Sequence, residues 1–301
     1  MAIFKKRDTA IQNIAYMSIM AAINVIFVLL TSILPFLLFL LIFLLPLTSA
    51  IVTIYCKKRY YPIYFIVTLA LCILVSFGFT IFDTLVYVLP SLITGFVFGI
   101  CFEKNVPSII MIVGNSILQF LLSLLTFYVL GYIVSNFNMM NVLISAFGLT
   151  EFAYKETFTL LFIYIIAMIQ IVLSYIFIKK ELNRLTVPFN LDNKNRIMVY
   201  IGAFVLYGLT IISYFYFPIW TMVFVLMPLP FYIYELITII LAKNKIAIIL
   251  AGVAHLGFAF GYAFTNKYIV APNQLMFLIA LFGLTTIIDI SNNYCFAKSR
   301  K

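Results

Sequence analysis

Charge is what this chain has least of. Aspartate, glutamate, lysine and arginine make up 9% of its 301 residues, where a soluble domain carries roughly 25%. That is too little to build a water-facing shell, so a soluble globular enzyme is excluded, and so is a disordered chain. A single histidine and nine acidic residues leave little material for acid–base or metal chemistry. The four cysteines, Cys56, Cys72, Cys101 and Cys295, form no CxxC pair. They read as small apolar fillers, not as a disulfide framework or a zinc site. The chain has no GxxxxGK[ST] loop to cradle ATP phosphates, and no HExxH, GxSxG or DxD-type cluster. It has no arginine ladder for voltage sensing and no repeated filter sequence. Neither catalysis nor a cofactor is expected.

What the chain does have is apolar residues in long runs. They account for 65% of it, and the mean hydropathy is +1.19. The runs are continuous, not alternating, which excludes a porin-like barrel and predicts an all-α polytopic membrane protein. Ten runs stand out: Ala10–Leu30, Ile33–Tyr55, Pro62–Phe79, Leu85–Phe102, Ser108–Val134, Phe158–Ile178, Ile197–Phe217, Ile219–Leu241, Ile246–Phe264 and Gln274–Ile290. Two breaks are short, Thr31-Ser32 and Phe217-Pro218, and the second reads equally as a kink. Closing one break in each half gives eight spans with the same orientation. The first run follows Lys5, Lys6 and Arg7 but holds Gln12, Asn13 and Asn24 and no A-x-A-like site, so it reads as a retained span and not a cleaved signal.

The net charge of +10 does not indicate nucleic acid, because the basic residues sit in short clusters between the runs. With ten spans and the N-terminus inside, seventeen of the nineteen basic residues fall on the inner side, and Lys155 and Lys267 fall outside. The positive-inside rule then places both ends in the cytoplasm. The expected organisation is six spans within residues 1–180, a basic cytoplasmic linker at 181–196, and four spans within 197–301. Residues Ser135–Thr157 form the one long outer loop, with Glu151, Lys155 and Glu156; it reads as a lid or as slack.

Polar residues inside the spans are the candidates for function. Glu235, His255 and Asp289 are ionisable at membrane depth, where each costs about 2.5–3.5 kcal/mol on insertion scales. Glu235 and His255 lie at similar depth on adjacent antiparallel spans. They read either as a proton-titratable pair or as a hydrogen-bonded structural pair. Asp289 reads as a helix-end acid facing Lys298 or Arg300. In the first six spans, Asp83, Asn115, Gln119 and Gln170, with Asn24, are the polar inventory. Asn115 and Gln119 share a helix face at i, i+4. The expected site has these two as its floor, Asp83 as its rim and the Glu151 loop as its cover; helix–helix contact is the alternative reading of the same amides. Gly95–Gly99 and Gly257–Gly261 are GxxxG patterns in similar surroundings, GFVFGICFEKNVP and GFAFGYAFTNKYIVAP. Both read as close helix contacts, and their opposite directions would fit an inverted repeat.

Three stretches carry a family resemblance: IAYMSIMAAINVIFVLL, LLPLTSAIVTIYCKKRYYP and PSLITGFVFGICFEKNVPS. Over roughly residues 10–180 the chain resembles the YybS-like membrane proteins, relatives of the substrate-binding S components of energy-coupling-factor (ECF) transporters. The resemblance implies a six-helix unit that captures a small solute from outside, and docking on a coupling subunit and its ATPases through small residues of the first helix. Here Ser18 and Ala22 hold those positions. Two other readings stay open. One is a ten-span secondary transporter driven by protons through Glu235 and His255. The other is a non-transporting membrane partner of a cytoplasmic enzyme.

Overall fold

A computed structural model describes residues 7–34, 37–76, 81–133, 145, 155–184, 196–241, 244–265 and 276–294. Among them there is no strand. The helices are α1 (Ala10–Ile33), α2 (Leu38–Tyr55), α3 (Tyr61–Ser76), α4 (Ile81–Glu103), α5 (Ser108–Ile133), α6 (Lys155–Arg184), α7 (Arg196–Tyr216), α8 (Pro218–Leu226), α9 (Leu229–Leu241), α10 (Lys245–Thr265) and α11 (Met276–Tyr294), with a 3-10 turn at Lys58–Tyr60 before α3. Seven helical stretches are long and apolar enough to cross a membrane, and three shorter apolar helices, Leu44–Tyr55, Tyr87–Glu103 and Leu278–Asn293, accompany them. The protein is an all-α, multi-pass membrane protein.

The chain divides into two compact units. The first comprises Met1–Glu151 and Phe162–Asp192, and the second Phe152–Leu161 and Asn193–Lys301. The expected division at residues 180 and 197 did not foresee that 152–161, which includes the start of α6, groups with the second unit. Lys155 and Glu156, expected in the outer loop, open α6.

In the first unit, one apolar core joins α1 to α4 through Met17, Leu45, Tyr61, Tyr64 and Leu92, and another joins α2, α4, α5 and α6 through Ala50, Phe98, Met111, Ile171 and Ile178. Gly95 and Gly99 bring α4 onto α2. A Cβ on Gly95 would stand 2.5 Å from the carbonyl oxygen of Pro46, and one on Gly99 would stand 2.5 Å from Cβ of Thr53. Lipid tails are as apolar as leucine, so such close backbone approach is a main source of helix association in a bilayer. A buried polar node ties three helices. Asn24 of α1 donates to the Tyr64 hydroxyl of α3 at 2.9 Å and accepts from Thr48 of α2 at 2.7 Å.

The turns explain themselves locally. α4 stops at Glu103 because Asn105 adopts a left-handed conformation (φ 51°), and Val106 N–H then reaches back to Cys101 O at 3.0 Å. Asparagine tolerates that region better than most residues. Pro107 follows and α5 begins. Thr9 caps α1 by accepting from Gln12 N–H. The chain before it is fastened to the end of α2: Arg7 N–H donates to Tyr55 O, and the Arg7 guanidinium lies 3.5 Å from the centroid of the Tyr16 ring. Lys58 pairs with Glu103 at 2.6 Å, and Tyr175 donates to Ser108 at 2.8 Å. These contacts gather Arg7, Lys57, Lys58, Arg59, Lys104 and Lys179 at one end of the unit.

Cys56 and Cys72 are buried and unpaired. At the end of α2, burial pushes the Cys56 thiol up, against the pull of Arg7. With Cys101 and Cys295 replaced by serine, neither thiol should react with a maleimide until the detergent-solubilised protein is unfolded. Rapid labelling of the folded protein would contradict this packing.

In the second unit, α7 and α8 are joined by Phe217 alone. The junction is a full reversal and not a kink, because Thr210 of α7 donates to Phe224 O of α8 at 2.8 Å. The early break predicted at Thr31-Ser32 moves the other way: α1 continues to Ile33. Among the described residues of α10, Ala247 and Ala251 alone are buried. Ile249, Val253, Leu256 and Phe260 point outward, as lipid-facing residues do.

Candidate functional site

The α5–α6 seam of the first unit holds the predicted amides. Asn115, Gln119 and Gln170 are all buried, at 1%, 2% and 5% exposure. Gln119 Nε2 donates to Gln170 Oε1 at 3.1 Å, which joins the two helices. Asn115 Nδ2 turns back to Met111 O of its own helix at 2.9 Å. The carbonyl oxygens Asn115 Oδ1 and Gln119 Oε1 have no hydrogen-bond partner, and neither do the hydroxyls of Tyr164 and Ser174 on α6. Tyr164 is fixed by an edge-on contact with Phe120 at 5.7 Å. Ser174 lies one turn from Gln170 on the same face of α6.

Depth follows from helix geometry. Asn115 and Gln119 lie seven and eleven residues beyond Ser108, about 10 and 16 Å along α5 at 1.5 Å per residue. The polar column therefore begins well inside an apolar layer of about 30 Å and reaches its middle. As for the rim and the cover, Asp83 lies on α4 in a stretch whose side chains are outside the described ones, and Glu151 lies outside the described residues.

The first unit also shows what a purely structural amide looks like. Both polar atoms of Asn24 are engaged by Tyr64 and Thr48. Unmet hydroxyls do not by themselves mark a site, since Ser49, Thr68 and Ser91 also have none. What sets the α5–α6 seam apart is two unmet amide carbonyls on one face of α5, with the unmet hydroxyls of Tyr164 and Ser174 about 15 Å apart along α6.

The expected Glu235–His255 pair does not form. Glu235 Oε2 accepts from Thr286 of α11 at 2.7 Å. His255 pairs with the Tyr232 hydroxyl and, through Nδ1, with Ala251 O at 2.6 Å. The carboxyl's partner is Thr286 of α11, and the histidine's are Tyr232 and Ala251. Asp289 is likewise not a snorkelling acid. It is 2% exposed and accepts from Tyr200 at 2.8 Å, Thr238 at 2.9 Å and Asn293 at 3.0 Å. Lys298 and Arg300 lie outside the described residues. Arg196 also donates to Asn293.

The two GxxxG patterns differ in use. Gly95–Gly99 packs against α2, whereas a Cβ on Gly257 or Gly261 would meet nothing within 4 Å. Among the described residues, Gly257–Gly261 is thus not a close seam of the Gly95–Gly99 kind. Ser18 and Ala22 are exposed on α1, and Ser18 Oγ donates to Ile14 O. Ser18 lines a groove of about 100 Å³ between α1 and α3, together with Met17, Ala21, Tyr60, Ile63 and Tyr64.

Comparison with protein-family models, curated proteins and solved structures finds no match. The functional reading therefore rests on the geometry of the chain itself. Tyr164 and Ser174 are the site residues that the sequence reading missed. Ser174 had a signal, four residues after Gln170 on the same helix face; Tyr164 had none, because six residues put it about a third of a turn away from Gln170.

Proposed function

We propose that the protein binds a small solute within the membrane and takes part in its uptake, in the manner of an ECF S component. The reading rests on one observation: Asn115 Oδ1, Gln119 Oε1, Tyr164 OH and Ser174 Oγ are each buried without a partner, on the two helices that the Gln119–Gln170 bond joins. A buried polar group left unmet costs about 1–3 kcal/mol, and a solute that meets it recovers that cost. Two carbonyl acceptors and two hydroxyls suit a neutral or zwitterionic solute that offers N–H or O–H donors. A strongly charged solute would find no counter-charge in this seam.

The same reading assigns the basic end of the first unit to the cytoplasm, with ten spans and both termini inside. The plasma membrane is the corresponding location. Energy for uptake would come from a separate coupling subunit and its ATPases, since the chain carries no nucleotide-binding loop of its own. The exposed Ser18 and Ala22 surface of α1, beside its groove, is the place for such a subunit to dock.

Purification in mild detergent, followed by mass spectrometry of proteins and small molecules, tests this. The expected result is a solute released on denaturation and an ATPase module in the same fraction. Recovery of a cytoplasmic enzyme without a solute would favour the membrane-partner reading and overturn this one.

A further inference from the structure

We infer that Glu235 in the second unit is a proton-binding site, distinct from the solute site of the first. Glu235 has no exposed surface. Its Oε2 is engaged by Thr286, and its Oε1 has no partner. No cation among the described residues pairs with it. An isolated carboxylate in such surroundings is far more costly than the neutral acid, so a carboxyl group fixed here must be served by a cation or a proton. A metal ion needs several ligands at once, and no group of three His, Cys, Asp or Glu side chains that could hold one is found among the described residues. A proton needs one oxygen and finds it. The proton adds at Oε1 to form an O–H bond, and it leaves to water.

The groups around Glu235 fit this role from every packed helix. α7 brings Tyr207, whose hydroxyl is 2.8 Å from Thr286 Oγ1. α11 brings Thr286 and, one turn on, Asp289. Thr238 of α9 donates both to Glu235 O and to Asp289 Oδ1. From Asp289 a line of exchangeable groups runs through Tyr200 and Asn293 to Arg196 at the start of α7. On the other side, α10 offers His255, which is turned to Tyr232 and Ala251; α8 contains no titratable residue. Tyr232 and Tyr234 on α9 and Lys245 at the start of α10 complete the set.

Infrared spectroscopy of the full chain in phosphatidylcholine nanodiscs tests the inference. The expected spectrum has a protonated-carboxyl C=O band that fades as pH rises. The band should disappear in Glu235→Gln, persist in Asp289→Asn and His255→Gln, and ignore sodium chloride at fixed pH. Carboxyl-13C glutamate should shift it in the wild-type protein, which assigns it to one of the five glutamates and not to Asp289; Glu235→Asp, which keeps a carboxyl, should give a band that this label no longer shifts, and serves if Glu235→Gln does not fold. Four outcomes would overturn the site: no such band, a band that survives Glu235→Gln or ignores the label, a band indifferent to pH while the protein stays folded, or loss of the band on adding sodium.

Discussion

Alanine at both Gly95 and Gly99 should leave little folded protein in a mild detergent. The added methyl groups would stand 2.5 Å from the Pro46 carbonyl oxygen and from Cβ of Thr53, and the second would also stand 2.9 Å from Ala50 O. Two of these neighbours are backbone atoms of α2 and cannot rotate aside. Overpacking a tight contact typically costs about 1–3 kcal/mol per site, and α2 and α4 share both apolar cores of the first unit. Gly257→Ala is the control, since a Cβ there meets nothing within 4 Å. Thermal unfolding read by circular dichroism distinguishes them. An unchanged melting temperature for the Gly95, Gly99 double variant would refute the close seam.

Replacing Asn115 and Gln119 together by leucine should abolish solute binding while the protein still inserts. Each substitution removes a carbonyl that the solute is proposed to meet. At about 1–3 kcal/mol per unmet group, each loss is roughly five- to 150-fold in affinity. Stability should fall as well, because Gln170 loses the bond it receives from Gln119. Asn24→Leu separates the two effects. It removes the bonds to Tyr64 and Thr48 and should lower the melting temperature without touching affinity. The measurement is the amount of solute that copurifies with each variant. If the double variant retains it in full, the seam is not the site.

The helices were legible because apolar composition and length decide them with little help from packing. Polar partners were not, because rotation about a helix axis decides them. The Glu235–His255 expectation used depth alone, and depth is shared by every residue in a turn. Thr285, Thr286, Asp289, Asn292 and Asn293 fall three and four apart, which marks one polar stripe down α11. Read as a stripe, that spacing names α11 as the partner of Glu235. The Phe217-Pro218 junction was ambiguous for a different reason. A proline both starts helices and bends them, and the choice is made by Thr210 meeting Phe224, which no local pattern encodes. At Gly95–Gly99 and Gly257–Gly261 the local sequence is nearly the same. The difference lies in what stands against the glycines: Pro46 and Thr53 of α2 in one case and, among the described residues, nothing within 4 Å of an added Cβ in the other.

The one-residue reversal at Phe217 has a consequence for how this end of the protein meets its surroundings. No polar loop caps the hairpin. Phe215, Tyr216 and Phe217 are instead exposed there, at 71%, 75% and 58%, and Trp220 follows one turn later, its N–H donating to Phe217 O. Tyrosine and tryptophan settle at the level of lipid headgroups, where one part of the ring system stays dry and the other is wet. At a bilayer surface such a turn would be held by its aromatic rings and not by a polar loop. Because Trp220 is the chain's single tryptophan, its emission colour is a built-in gauge of how deep this corner sits in the bilayer.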